Sequence, residues 1–272
     1  MEVTDNHVAS LLLNRAAQLN FHTGNLVNWR CLKKKMPSPS EELQDCIRAI
    51  LAEWRSRVTT DGLQESPDTV ECSLAQTETV NADEREELKV SAKLFITCSD
   101  SAYISNAVNM ACAALDVSNL DSVIIAPPPL EDGTELTLEH LQPYWGELEN
   151  LVHNKQVLAI GTSDLDKTLL EQLYQWAQVK PSSNQVNLAS CCVMPPELTA
   201  FAKEFDIQLL THNDSKEMLS ATDFQEAIKE SIPNVRANEW KLKWILRYST
   251  IVKSRGIIKS KGYILQAKKS VL

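Results

Sequence analysis

A chain of 272 residues, 43% hydrophobic and 23% charged, holds enough apolar material for one large globular domain or two small ones. It lacks the basic-then-apolar start of a signal peptide and any apolar run that approaches a membrane span, so a soluble intracellular protein is expected. Its net charge of −9 opposes nucleic acid, and no nucleic-acid-binding motif occurs.

From the N-terminus, residues 1–17 carry a helical period in Val8, Leu11, Leu12 and Ala16, and 19–23 read as a strand ending at Gly24. Ser38 with Glu41 three residues on is the pattern of a capping box. The helix behind it buries Leu43, Ile47, Ile50, Leu51 and Trp54. Residues 57–87 are polar and acidic and predict a long exposed loop, with one edge strand near Val70. Residues 90–98 predict a strand, and 103–117 a helix that is apolar at Ile104, Val108, Ala111 and Leu115.

Residues 121–126 are a β-branched strand stopped by Pro127, after which Leu138, Leu141, Trp145, Leu148 and Leu151 recur at helical spacing. Residues 157–163 are the next strand. Asp164 stands where a helix N-cap is expected, ahead of Leu169, Leu170, Leu173 and Trp176. Strand 184–188, helix 196–205 and strand 206–211 follow. A helix near 223–231 and a last helix over 240–250 precede the tail.

Short apolar strands alternating with helices are the mark of parallel βα units, whose strands are buried on both faces. Seven or eight such strands favour an α/β fold of the (β/α)8 TIM-barrel type, with 1–272 forming a single domain. An open dinucleotide-binding sheet would need a glycine-rich phosphate turn. The chain has seven glycines, and neither a G-x-G-x-x-G nor a P-loop occurs.

The seven cysteines, Cys31, Cys46, Cys72, Cys98, Cys112, Cys191 and Cys192, are odd in number and show no zinc-ligand spacing, so reduced thiols and no metal site are expected. Charge is unevenly placed: from Trp240 to Leu272 there are nine cations and no acid. That asymmetry suits an anion site, an acidic partner or a solvated cationic edge equally well. In a barrel, chemistry sits at the C-terminal strand ends. Those ends offer one histidine, His212, no convergent carboxylate pair and no activated serine or cysteine.

Trp145-x-x-Leu148-Glu-x-Leu151, Val157-Leu-Ala-Ile-Gly-Thr-Ser-Asp164, Leu170-Glu-Gln-Leu173 and Asn184-Gln-Val186 resemble the central part of an aldo-keto reductase. The resemblance implies a barrel that reduces carbonyls with NADPH, using an Asp, a Tyr, a Lys and a His. This chain departs at the decisive positions. No tyrosine precedes Tyr103, Ser99 stands at the family's lysine position and Ala126 at its histidine position. Lys93 shares the strand and side-chain parity of the missing lysine, but at roughly 3.3 Å per residue it is expected about 20 Å away, at the wrong end of the barrel. Ser163, Asp164 (Asn in the family) and Gln185 match positions that hold the nicotinamide amide, and His212 matches the aromatic stacked on the ring. A degenerate active site with a relict cofactor pocket is implied.

Gly161-Thr-Ser-Asp-Leu-Asp-Lys167, Asn187-Leu-Ala-Ser-Cys-Cys-Val-Met-Pro-Pro196 and Ile251-Val-Lys-Ser-Arg-Gly-Ile-Ile-Lys-Ser-Lys-Gly-Tyr263 resemble one offshoot of that family, the glutamate–cysteine ligase regulatory subunits. This resemblance implies a non-catalytic partner of the catalytic subunit in the first step of glutathione synthesis. Its binding improves substrate use and weakens glutathione feedback inhibition. No cofactor is required; weak NADPH binding is the residual expectation, and an NADPH-binding sensor or a reductase-like protein with a residual cofactor pocket is the alternative function. Lys253, Arg255, Lys259 and Lys261 are the expected partner-facing residues.

Overall fold

The computed structural model describes residues 2–28, 38–59, 68–74, 79–128, 130, 134–187 and 193–269. Nine strands appear in chain order: β1 (Gln18–His22), β2 (Thr69–Ser73), β3 (Leu88–Ile96), β4 (Ser122–Ala126), β5 (Ile160–Ser163), β6 (Ser183–Asn187), β7 (Gln208–His212), β8 (Trp240–Val252) and β9 (Ile257–Lys269). They form one sheet in the order β2-β1-β9-β8-β3-β4-β5-β6-β7. The helices are α1 (Glu2–Arg15), α2 (Pro39–Arg57), α3 (Ala102–Leu115), α4 (Leu138–His153), α5 (Lys167–Trp176), α6 (Pro196–Glu204) and α7 (Ala221–Ser231).

The expected parallel βα units are present in β3 to β7. A ring closed by hydrogen bonds is not: among the described residues β2 and β7 are free edges of the sheet. A second departure lies in the C-terminal third. The expected helix over 240–250 is instead β8, which pairs with β9 as an antiparallel hairpin. From Trp240 to Trp244 buried residues alternate with Lys241 and Lys243, a period of two, and Tyr248, Thr250, Ile251 and Val252 add aromatic and β-branched residues that suit a pleated surface. Gly256, at φ 64°, supplies the left-handed turn residue of the hairpin. β8 lies against β3 and β9 against β1, both antiparallel. β1 and β2 therefore run opposite in sense to β3–β7.

Side-chain alternation along the strands makes two cores. Val90, Leu94, Val123, Ile125, Trp244 and Leu246 face α3–α6. Phe21, Phe95, Ile245 and Leu265 face the other way and pack against α1, α2 and α7. The capping box is formed: the Glu41 backbone N–H donates to Ser38 Oγ at 3.3 Å and the Ser38 N–H donates to Glu41 Oε2 at 2.8 Å. β2 is the edge strand expected near Val70, and a 3-10 helix spans Ala82–Glu87; positions 60–67 and 75–78 lie outside the described residues, as do Leu188, Cys31, Cys191 and Cys192. Among the described residues no helix is long and apolar enough to cross a membrane.

Candidate functional site

The parallel strands and β8 bring five charged side chains and a serine together on the inner face of the sheet. Lys93 projects from the middle of β3, where a charged residue among apolar neighbours needs a buried partner. Its Nζ lies 2.9 Å from Asp214 Oδ2 and donates to Ser163 Oγ at 3.0 Å. Arg247 of β8, directly opposite Lys93 in the ladder, grips the same carboxylate with both guanidinium arms, one of them at 3.0 Å. Both cations lie over the Phe95 ring, at 5.2 and 5.7 Å from its centre, which shields one side of the pair from water.

His212, at the end of β7, links this group to Asp164. Its Nε2 lies 2.9 Å from Asp164 Oδ1, and its Nδ1 lies 3.2 Å from Asp214 Oδ2. Asp164 also accepts from Ser163 Oγ at 3.0 Å and from the Asn187 backbone N–H at 2.9 Å. It sits at φ 61°, left-handed backbone that Asp and Asn tolerate better than most side chains. Asp164 is thus not the helix cap; that role falls to Asp166, whose side chain accepts the Leu169 N–H at 2.8 Å.

The charges tune one another. Burial favours the neutral carboxyl of Asp214, but hydrogen bonds from His212 and Arg247, with the Arg247 and Lys93 charges, hold it far below the usual range. Burial raises Asp164 and the His212 contact outweighs it, so its net displacement is downward. Burial lowers His212, yet hydrogen bonds to Asp164 and Asp214 carry it above the ordinary imidazole value. Lys93 is lowered, burial outweighing the attraction of Asp214.

Of the positions singled out in sequence, Ser163, Asp164 and His212 are in contact. Gln185 lines a cavity together with His212, and its buried Oε1 has no hydrogen-bond partner among the described residues. Ser99 is exposed beyond the end of β3, and Ala126 closes β4 against the second core. Lys93, expected at the wrong end of the barrel, reaches diagonally along the inner face to Ser163 instead. Asp214 and Arg247 were missed as members of the group. The available signal was Lys93 itself, whose inward parity in a confident strand demands a counter-ion. Lys253 donates to the Glu86 backbone carbonyl at 2.9 Å, Lys259 pairs with Glu84, and Lys261 lies 2.8 Å from Glu42. Arg255 is exposed in the hairpin turn.

Chemically this is a hydrogen-bonded ion network in which both carboxylates are paired. Ser163 receives a proton donor from Lys93 and gives its own proton to Asp164, and Lys93 is matched to Asp214, so neither an activated nucleophile nor a free base results. The nicotinamide amide implied by the fold family needs an acceptor for its N–H groups and a donor for its oxygen. Gln185 Oε1 supplies the acceptor. Asp164 has no N–H to give and Ser163 has committed its proton, so the donor half of the cradle does not fit.

Residues 65–262 match the family model described as Aldo/keto reductase family. Over 269 residues the chain is 66% identical to the glutamate–cysteine ligase regulatory subunits of Bos taurus, Rattus norvegicus and Homo sapiens, each match covering 98% of this chain and 98% of the relative. The chain belongs to the aldo/keto reductase family, in the branch of the glutamate–cysteine ligase regulatory subunits.

Proposed function

We propose that this chain is a non-catalytic regulatory subunit. It binds the catalytic subunit of glutamate–cysteine ligase one to one in the cytosol and raises its activity in the first step of glutathione biosynthesis. Near-full-length identity with named regulatory subunits carries the reading. Two features of the chain support it. Ser99 and Ala126 stand where the family resemblance implies a lysine and a histidine, so reductase catalysis is lost. The remaining charged groups are committed to each other, which suits a stable scaffold.

Regulation of this kind requires the subunit to bind the active conformation of its partner better than the inactive one. A tenfold change in substrate or inhibitor affinity needs only about 1.4 kcal/mol of coupling. The contact surface is the tip of the β8–β9 hairpin, where Lys253 and Arg255 flank the exposed Ile257 and Ile258. Apolar anchors beside cations suit an acidic surface with an apolar centre. Lys259 and Lys261 contribute less, being paired within the chain. The unpartnered Gln185 Oε1 favours a secondary reading in which NADPH binds weakly as a signal.

Residues 1–272 act as one domain; within 57–87, β2 is packed through Val70 and Cys72 and residues 81–87 are mostly exposed, so limited proteolysis cuts first within that segment, and a first cut between Val157 and Leu188 contradicts it. The test of partnership is sedimentation of the mixed, purified subunits. A one-to-one complex is expected, and separate sedimentation at micromolar concentration overturns the reading.

A further inference from the structure

The concave face of the sheet lines an open cavity of about 1150 Å³, above the roughly 300–1,000 Å³ common for small-molecule sites. Barrel interiors are ordinarily filled by branched apolar side chains. Here the inward positions toward the N-terminal ends of the parallel strands carry hydroxyls and cations. Register places them in rows. Ser91 of β3 stands between Ser249 of β8 and Ser122 of β4. The next inward position of each strand puts Arg247 beside Lys93, and Lys261 of β9 faces Ser249. All six line the cavity.

Two observations mark this lattice as more than a polar wall. Arg247 and Lys93 share a single carboxylate, Asp214, while His212 is balanced by Asp164. With Lys93, Arg247 and His212 all protonated, three cations face two carboxylates, and one positive charge at the cavity wall is left uncompensated within the group. The hydroxyls next to it also retain donors. Ser91 accepts from Ser122 at 2.9 Å, and its own proton has no acceptor among the described residues. Ser249 makes no side-chain hydrogen bond among them. Fixed hydroxyl donors beside a guanidinium and an ammonium are the elements of an oxyanion seat. Ile124, Leu210 and Ile251 supply apolar wall in the same cavity. The chain's overall negative charge acts weakly there, because exposed charges beyond about 8–10 Å are screened at physiological salt.

We propose that this cavity binds a small organic anion, its carboxylate or phosphate seated between the Ser249–Ser91–Ser122 row and the Arg247–Lys93 pair. The seat lies on the opposite side of the ion network from the strand ends that carry Asn187 and His212, and it uses none of the residues that match the nicotinamide positions. Binding there adds the missing negative charge and ties β8 to β3 and β4, so ligand occupancy stiffens the junction between the hairpin and the parallel strands.

The test is isothermal titration of the full chain with potassium phosphate and, separately, with trisodium citrate, in chloride buffer at matched ionic strength. Saturable heat with at least one of them is expected; phosphate alone identifies a phosphoryl ligand and citrate alone a carboxylate ligand. The double variant Ser91→Val, Ser249→Val, which leaves the ion network intact, is expected to weaken binding at least tenfold. If that variant does not fold, Arg247→Lys, which keeps the charge and loses the fork, serves in its place with the same expected loss. No saturable heat with either anion, or unchanged affinity in a folded variant, overturns the proposal.

Discussion

Lys93 and Arg247 face each other across the β3–β8 ladder and both bind the carboxylate of Asp214. Lys93 and Asp214 have side chains only 4% and 2% exposed. Arg247 is 25% exposed and faces the cavity, so this one carboxylate holds two like charges side by side at the seam where the antiparallel hairpin meets the parallel strands.

Removing it will be costly. Asp214→Ala leaves two cations without their counter-charge, and breaking a buried pair in this way costs about 3–5 kcal/mol. Urea unfolding of the variant checks this. A loss under about 1 kcal/mol would mean that the interior is wetter than the packing implies.

The network also sets a pH dependence. His212 is raised in the folded chain, so its contribution is fully present below the unfolded value of about 6.5 and fades as pH rises through the folded value. Asp214 and Asp164 are lowered, so theirs is present above about pH 3.9 and is lost as pH falls. The stability difference between the native chain and His212→Asn is expected to shrink as pH rises above about 6.5. A difference that grows over that range contradicts the assignment.

Capping and strand signals carried well from sequence to structure where they were local. Ser38 and Glu41, the apolar stripe of α3 and the strands β3 to β7 were legible because each is decided by neighbours within a turn or a pleat. Asp164 was misread because Asp166, two residues on, fits the same cap pattern, and only the left-handed backbone and the contact with His212 separate them. The hairpin was misread because Trp240–Thr250 satisfies a helical period as well as an alternating one; the alternating lysines and the β-branched end were the better guide. Lys93 and Asp214 are 121 positions apart, and no local pattern announces that pair. The closed ring failed for the same reason, since hairpin placement is decided by long-range pairing.

NADPH oxidation with a panel of aldehydes is expected to stay at background, since the family resemblance implies a lysine and a histidine where Ser99 and Ala126 stand. Asp164→Asn restores an N–H for the amide oxygen, and it is expected to strengthen NADPH binding by about tenfold, the order of one hydrogen bond to a neutral donor. Fluorescence titration reads this directly. Tighter binding by the native chain than by Asp164→Asn would show that the carboxylate is no obstacle.

Lys253→Glu with Arg255→Glu is expected to slow association with the catalytic subunit and to reduce its salt dependence, while Ile257→Ser with Ile258→Ser speeds dissociation. Surface plasmon resonance separates the two rates. Lys259 and Lys261 are poor choices for such reversal, because Glu84 and Glu42 would lose their partners. Binding unchanged in both double variants places the contact elsewhere.

The most direct measurement is the rate of purified glutamate–cysteine ligase catalytic subunit, with and without one equivalent of this chain, across a glutathione titration. The account predicts better use of substrate and weaker glutathione inhibition in the complex. By reciprocity, glutathione bound to the catalytic subunit then weakens its affinity for this chain. Identical rates and identical inhibition curves, at chain concentrations where a complex is seen to form, would contradict it.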